Sequence, residues 1–286
     1  MRISAELGKS IFRKTEKELL RLAEDDRSEA VHGFRTTTRR LETLLGQLVR
    51  DGSRRNKKLL KMLNRIRKSA GRVRDIDVQL EVLGSLQIPQ EPRRKTQLMH
   101  NLLDLRAEHE KHLRKVLKKD DIRDIRKRLR RAEAALRLDS NRDPLWVAKQ
   151  MLSSVQTPHG TADEETLHRY RLAVKRARYA AEFAPKSAES TQLLAGLKRL
   201  QDALGNWHDW MTLTHTATDR LGDVSQSSLV AVLHNVTRGK YRQAVTAVSR
   251  AAIEPPRTRK RAVESKAARK ADGKGTVIER HTGRAA

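Results

Sequence analysis

Two stretches of the chain set a histidine, an arginine and a basic pair at matching intervals. One is His32-Gly33-Phe34-Arg35-Thr36-Thr37-Thr38-Arg39-Arg40, the other His168-Arg169-Tyr170-Arg171-Leu172-Ala173-Val174-Lys175-Arg176. On a helix that turns about 100° per residue, His32, Arg35, Arg39 and Arg40 fall within an arc of about 100°. His168, Arg171, Lys175, Arg176 and Arg178 share one side in the same way. A third series, Arg54, Lys58, Lys61, Arg65, Lys68 and Arg72, repeats at spacings of three or four and contains no acid. Exposed helices ordinarily alternate charge and gain a few tenths of a kcal/mol per opposite pair, so unbroken cationic stripes are self-repelling. A bound anion is the simplest compensation. Arginine offers phosphate a planar fork of two charge-assisted hydrogen bonds, and lysine adds point charge. Histidine donates when protonated, a state that neighbouring phosphate favours. The chemistry expected is binding of a phosphate-bearing anion.

The faces opposite these stripes are apolar, Phe34, Leu41, Leu45 and Leu48 in one case and Tyr170, Val174, Ala177, Ala181 and Ala184 in the other, and should pack into a core. The match between the stretches continues downstream. Leu63-Asn64-Arg65-Ile66, Gly71 and Arg74-Asp75 align with Leu197-Lys198-Arg199-Leu200, Gly205 and His208-Asp209. The chain therefore reads as an internal repeat. Its second half is less basic, since Gln192, Ala195 and Asp202 stand at the places of Lys58, Lys61 and Lys68. The anion surface should be lopsided.

Apolar periodicity with few glycines predicts helices near 4–24, 28–50, 54–86, 93–118, 121–138, 143–154, 163–183, 188–219 and 226–252, and strand patterns are missing. Breaks are expected at Gly52-Ser53, Ile88-Pro89-Gln90-Glu91-Pro92, Asp143-Pro144 and Thr157-Pro158-His159-Gly160. The fold class expected is all-α: two helical bundles, about 1–140 and 141–254, with pseudo-two-fold symmetry. Residues 255–286 should form a disordered basic tail, with ten Lys or Arg against three acids, which places about +7 of the formal +27 there.

Lys and Arg number 62 against 35 Asp and Glu, and the pI is near 11.0. Such a field selects polyanions. The aromatic fraction of 3% argues against a single-strand binder that stacks bases on rings. Absence of cysteine removes disulfides, thiolate nucleophiles and Cys-based zinc sites. No signal-like or membrane-spanning apolar run is apparent, so a cytoplasmic protein without membrane attachment is expected.

The repeated His-x-x-Arg-x-x-x-Arg/Lys-Arg helix, followed by a Gly-x-x-Arg/His-Asp helix, resembles the conserved histidine α-helical domain, CHAD, over roughly residues 4–252. The resemblance implies an all-α fold of two symmetric bundles, a basic surface or channel that binds inorganic polyphosphate, and no catalysis by the domain itself. Standalone members are linked to polyphosphate granules, and others are fused to a triphosphate-tunnel domain, whose signature is not seen here. Carried onto this chain, the implied contacts are His32, Arg35, Arg39 and Arg40 with His168, Arg171, Lys175 and Arg176. Arg65, Arg74 and Arg199 follow, and Asp75 and Asp209 would orient neighbouring cations by hydrogen bonds. Lys61, Lys68, Arg72, Arg178 and His208 complete the expected polyphosphate surface, with His208 standing where the motif more often has Arg. No cofactor or metal is expected.

Three rival readings are open, one of them a structural scaffold that binds a partner protein through its helix faces. A sequence-indifferent cationic surface would also hold nucleic acid, weakly through the tail. His208-Asp209 could instead begin a metal-dependent phosphohydrolase site, but Arg74 holds the place of His208 in the other repeat, and a cation there suits phosphate better than metal.

Overall fold

Four helix starts have side-chain caps. Ser53 accepts a hydrogen bond from the Asn56 backbone N–H, Asp163 from that of Thr166, and Ser187 and Ser190 form a reciprocal capping box. Asp143 accepts from the backbone N–H groups of Leu145 and Trp146, with Pro144 at the first helical position, where no amide donor is missed. Gly222, at a φ of 88°, ends the longest helix in the left-handed region that glycine enters without steric cost.

The computed structural model describes residues 5–25, 27–50, 53–87, 91–158 and 162–251. Among these are nine α-helices and no strand: α1 (Ala5–Glu24), α2 (Ser28–Thr43), α3 (Arg54–Ser85), α4 (Pro92–Val116), α5 (Lys119–Ala134), α6 (Pro144–Ser153), α7 (Glu164–Ala181), α8 (Ala188–Leu221) and α9 (Ser228–Arg250). The fold class is thus all-α. The expected tail lies outside the described residues, as do parts of the expected breaks at Gly52, Ile88 to Gln90 and His159-Gly160. No helix described is long and apolar enough to cross a membrane.

Two boundaries differ from the periodicity. The last turn predicted for the second helix is a π-helical segment, Leu44–Leu48, whose wider turn keeps Leu44, Leu45 and Leu48 buried. The fifth helix stops at Ala134 instead of near 138, because the next residues pair with the end of the π segment. Arg50 N–H donates to the Arg137 carbonyl at 3.4 Å and Asp139 N–H to the Leu48 carbonyl at 3.0 Å.

The repeat is visible in the packing. α1 packs on α2, α2 on α3 and α3 on α4; α6 packs on α7, α7 on α8 and α8 on α9. α5, packed on α1 and α3, has no counterpart. The halves meet where α2 faces α7 and α3 faces α8, each helix against its own copy, as a two-fold axis requires. One apolar core, from Phe12, Phe34 and Leu63 to Val174, Leu200 and Trp207, runs through both halves, so they are not separately cored. A second core of Leu83, Leu98, Leu213 and Leu233 joins the far ends of α3 and α8 to α4 and α9.

Candidate functional site

Burying Phe34 and Leu41 on one side of α2, and Tyr170, Val174 and Ala177 on one side of α7, turns the His/Arg faces of both helices toward the junction of the halves. A cleft of about 930 Å³ opens there. α2 supplies His32, Arg35, Thr36 and Arg39; α3 supplies Arg67, Arg74 and Asp75. α7 gives Arg171, Lys175, Arg176 and Tyr179, and α8 gives Gln201, Asp202, Asn206, His208 and Asp209. Gly46 and Gln47 of the π segment complete one wall. Seven Arg or Lys side chains face four carboxylates, Glu42, Asp75, Asp202 and Asp209.

These carboxylates hold the cations loosely. Asp75 lies 3.6 Å from Arg35, and Glu42 lies 3.7 Å from both Arg39 and Arg67. Such distances are ion-pair contacts, too long for the orienting hydrogen bonds expected of Asp75. Asp209 makes no hydrogen bond among the described residues; burial holds its carboxyl above the usual range, and Arg171 and Lys175 pull against that shift. Meanwhile Arg67 and Arg171, each under a tenth exposed, leave their Nε–H groups without an acceptor. Nδ1 of His208 is buried and unpartnered too.

Burial and crowding of like charge disfavour the protonated form of several of these basic groups. Burial, then Arg39, lowers Arg67 to about 10. Lys175 falls to about 8, first by burial and next by Arg171, with Arg35 and Arg39 of the other half adding to the repulsion. Arg35 and Arg171 are lowered as well, chiefly by burial. Burial, with Arg171 and His168, pushes His208 to about 3, and His32 and His168 also sit below their ordinary value, burial leading in both. Without an anion, then, these imidazoles favour the neutral form. The cationic faces of two repeats converge across the junction with too few partners, an arrangement suited to taking up a linear or compact polyanion.

His32, Arg35, Arg39, Arg74, Arg171, Lys175, Arg176 and His208 come together here as the sequence anticipated. Others do not line the cleft. His168 stands behind His208, ring centroids 5.0 Å apart. Arg40 is tied up: its Nε–H donates to Glu182 Oε2 at 2.6 Å, and its guanidinium lies 5.9 Å over the Tyr179 ring. Burial opposes its charge, but the bond to Glu182 outweighs this and raises its pKa. Arg178 pairs with the same carboxylate at 3.2 Å and donates to Gln201 Oε1 at 3.1 Å. Lys61, Arg65, Lys68 and Arg72 on α3 and Arg199 on α8 are exposed and absent from the lining.

Arg67 was missed, although a signal existed. It lies one turn before Gly71 and seven residues before Arg74, on the face of the motif residues, whereas the more obvious stripe occupies another face. Gln201 holds the equivalent place in the second half. Gly71 has a specific reason to lack a side chain, because a Cβ there would fall on Arg35 Nη1. Its counterpart Gly205 has open space.

Fold and site together define a duplicated all-α protein with a cationic cleft at the junction of its repeats. The chain belongs to the CHAD family: the CHAD domain model matches residues 8–218. PptA from Streptomyces chartreusis has a similar fold, with a TM-score of 0.63 at 16% identity, covering 87% of this chain and 99% of that one. The CHAD domain from the plant Ricinus communis aligns with a TM-score of 0.58 at 16% identity, over 86% of this chain and 90% of that one. No curated protein matches.

Proposed function

We propose that this protein binds inorganic polyphosphate in the cleft between its repeats and acts as a binding module without catalysis of its own. One observation carries the reading. Arg67 and Arg171 are buried on opposite halves with unpartnered Nε–H donors, in a cleft where the cations outnumber the carboxylates and repel one another. Unsatisfied buried donors are costly, and a multiply charged oxyanion satisfies them at several points at once. Polyphosphate carries charge on nearly every unit with no base between units, so it can thread among arginines where nucleic acid is too bulky. Tyr179 is the one phenol in the lining, and there is no run of rings for base stacking. Among the described residues no group of three or more His, Asp or Glu side chains could hold a metal ion, which favours binding over metal-assisted hydrolysis. Association with polyphosphate granules would be a consequence of this binding.

The direct test is long-chain polyphosphate affinity of the Arg67→Gln and Arg171→Gln variants. Each loses charge-assisted hydrogen bonds of about 1.5–3 kcal/mol, which corresponds to a decrease of about tenfold to a hundredfold. Wild-type affinity in both variants would move the site elsewhere.

A further inference from the structure

The cleft leaves a long, uninterrupted cationic row unexplained. Arg54, Lys58, Lys61, Arg65, Lys68 and Arg72 lie along the outside of α3, all exposed. Over their length the helix makes about five full turns, so the six side chains share an arc of about 80° and form a nearly straight row of about 27 Å. Arg67 and Arg74 of the same helix have acidic partners, but these six have none within 4.0 Å among the described residues. The fold does not require the row. α8, the copy of α3, carries Gln192, Ala195 and Asp202 at the places of Lys58, Lys61 and Lys68. Nor does the row wander away from the site. Asp75, one turn beyond Arg72, lines the cleft together with Arg74.

We propose that the outer face of α3 is a second polyanion track flanking the cleft, so that a long polyphosphate chain seated in the cleft also lies along α3. This rests on the reading of the cleft as a polyphosphate site and adds chain-length selectivity to it. Short phosphates fill the cleft alone; long chains gain the row. Polyphosphate suits the row better than nucleic acid because the row runs beside the cleft and has no acid to offset it.

The test compares tripolyphosphate with long-chain polyphosphate on the full chain at near-physiological salt, where loose attraction is screened beyond about 8 Å. In the Lys58→Gln/Lys61→Gln/Arg65→Gln/Lys68→Gln variant, tripolyphosphate affinity should stay within about twofold of wild type. Long-chain affinity should fall at least about tenfold, the loss of several exposed charge contacts. A charge-keeping Lys58→Arg/Lys61→Arg/Lys68→Arg variant should retain the long-chain advantage. If the fourfold variant loses helicity, Lys61→Gln/Lys68→Gln serves in its place with a smaller expected loss. Unchanged long-chain affinity, an equal loss for both phosphates, or a loss confined to nucleic acid would each overturn the track while leaving the cleft reading intact. Wild-type protein that binds neither phosphate would overturn the cleft reading and the track with it.

Discussion

At the scale of single residues, the site is held open by what is missing between its charges. Arg40 and Arg178 are paired with Glu182, whereas Arg67 and Arg171 each keep a buried Nε–H without an acceptor, so cations of the same type have opposite roles. Removing Arg67 relieves a buried, poorly paired charge. Arg67→Gln should therefore melt no lower than wild type without ligand while binding polyphosphate more weakly, and a clear drop in ligand-free melting temperature would make Arg67 structural. Gly71→Ala offers a finer probe. Alanine is the better helix former by about 1 kcal/mol, so the fold should hold, but the new methyl group displaces the Arg35 guanidinium. Phosphate affinity should fall, whereas Gly205→Ala, facing open space, should leave it unchanged. Equal affinities in these two variants would mean that the position of Arg35 is irrelevant to binding.

Among the elements, the pairing of α2 with α7 and α3 with α8 brings the charged faces together, and Glu182 secures that junction by accepting from Arg40 of one half while pairing with Arg178 of the other. These groups are about a fifth to a quarter exposed, so Glu182→Gln should cost about 1–2 kcal/mol after solvent screening, to be read by chemical denaturation. No change in stability would show that the apolar core alone sets the junction. Much of this architecture was legible in the sequence. Helix periodicity gave nine segments, and the matched His-x-x-Arg stretches gave the duplication and six of the cleft residues, with Arg74 and His208 added by the downstream Gly-x-x-Arg/His-Asp match. Sequence spacing could not say which face of α3 turns inward, because both the Arg54-to-Arg72 row and the Arg67, Gly71 and Arg74 face are helical stripes. Only packing against α2 and α8 separates them. It could not reveal that Arg40 points at Glu182 either, since that partner is 142 residues away. The early end of α5 was hidden for a similar reason: backbone pairing with Leu48 and Arg50 overrides local propensity.

For the molecule as a whole, clustered charge links ligand to protons. Lys175 titrates near 8 in the free protein, below its ordinary value, because burial and Arg171 disfavour its charge. A neighbouring phosphate raises that pKa, so affinity should be at full strength from this group below pH 8. It should weaken as pH rises through 8, with net proton uptake on binding there. The depressed imidazoles of His32 and His168 add affinity as pH falls through their range. The sign for folding is opposite. The unfolded chain holds the Lys175 proton more tightly than the fold does, so stability without ligand should rise between about pH 8 and the ordinary lysine value. Calorimetry in two buffers of different ionisation enthalpy reads the proton uptake, and its absence at pH 8 would remove Lys175 from the ligand's surroundings.

Displacement of labelled long-chain polyphosphate from the full chain at near-physiological salt, with single-stranded DNA, RNA, duplex DNA and unlabelled polyphosphate as competitors at equal total phosphate, decides whether the cleft selects polyphosphate. Wild-type protein should release the probe to polyphosphate alone, and an Arg67→Gln/Arg171→Gln variant should hold the probe weakly from the start. Equal displacement by every polyanion, or full retention of the probe by the double variant, would contradict a selective polyphosphate site at the junction of the repeats.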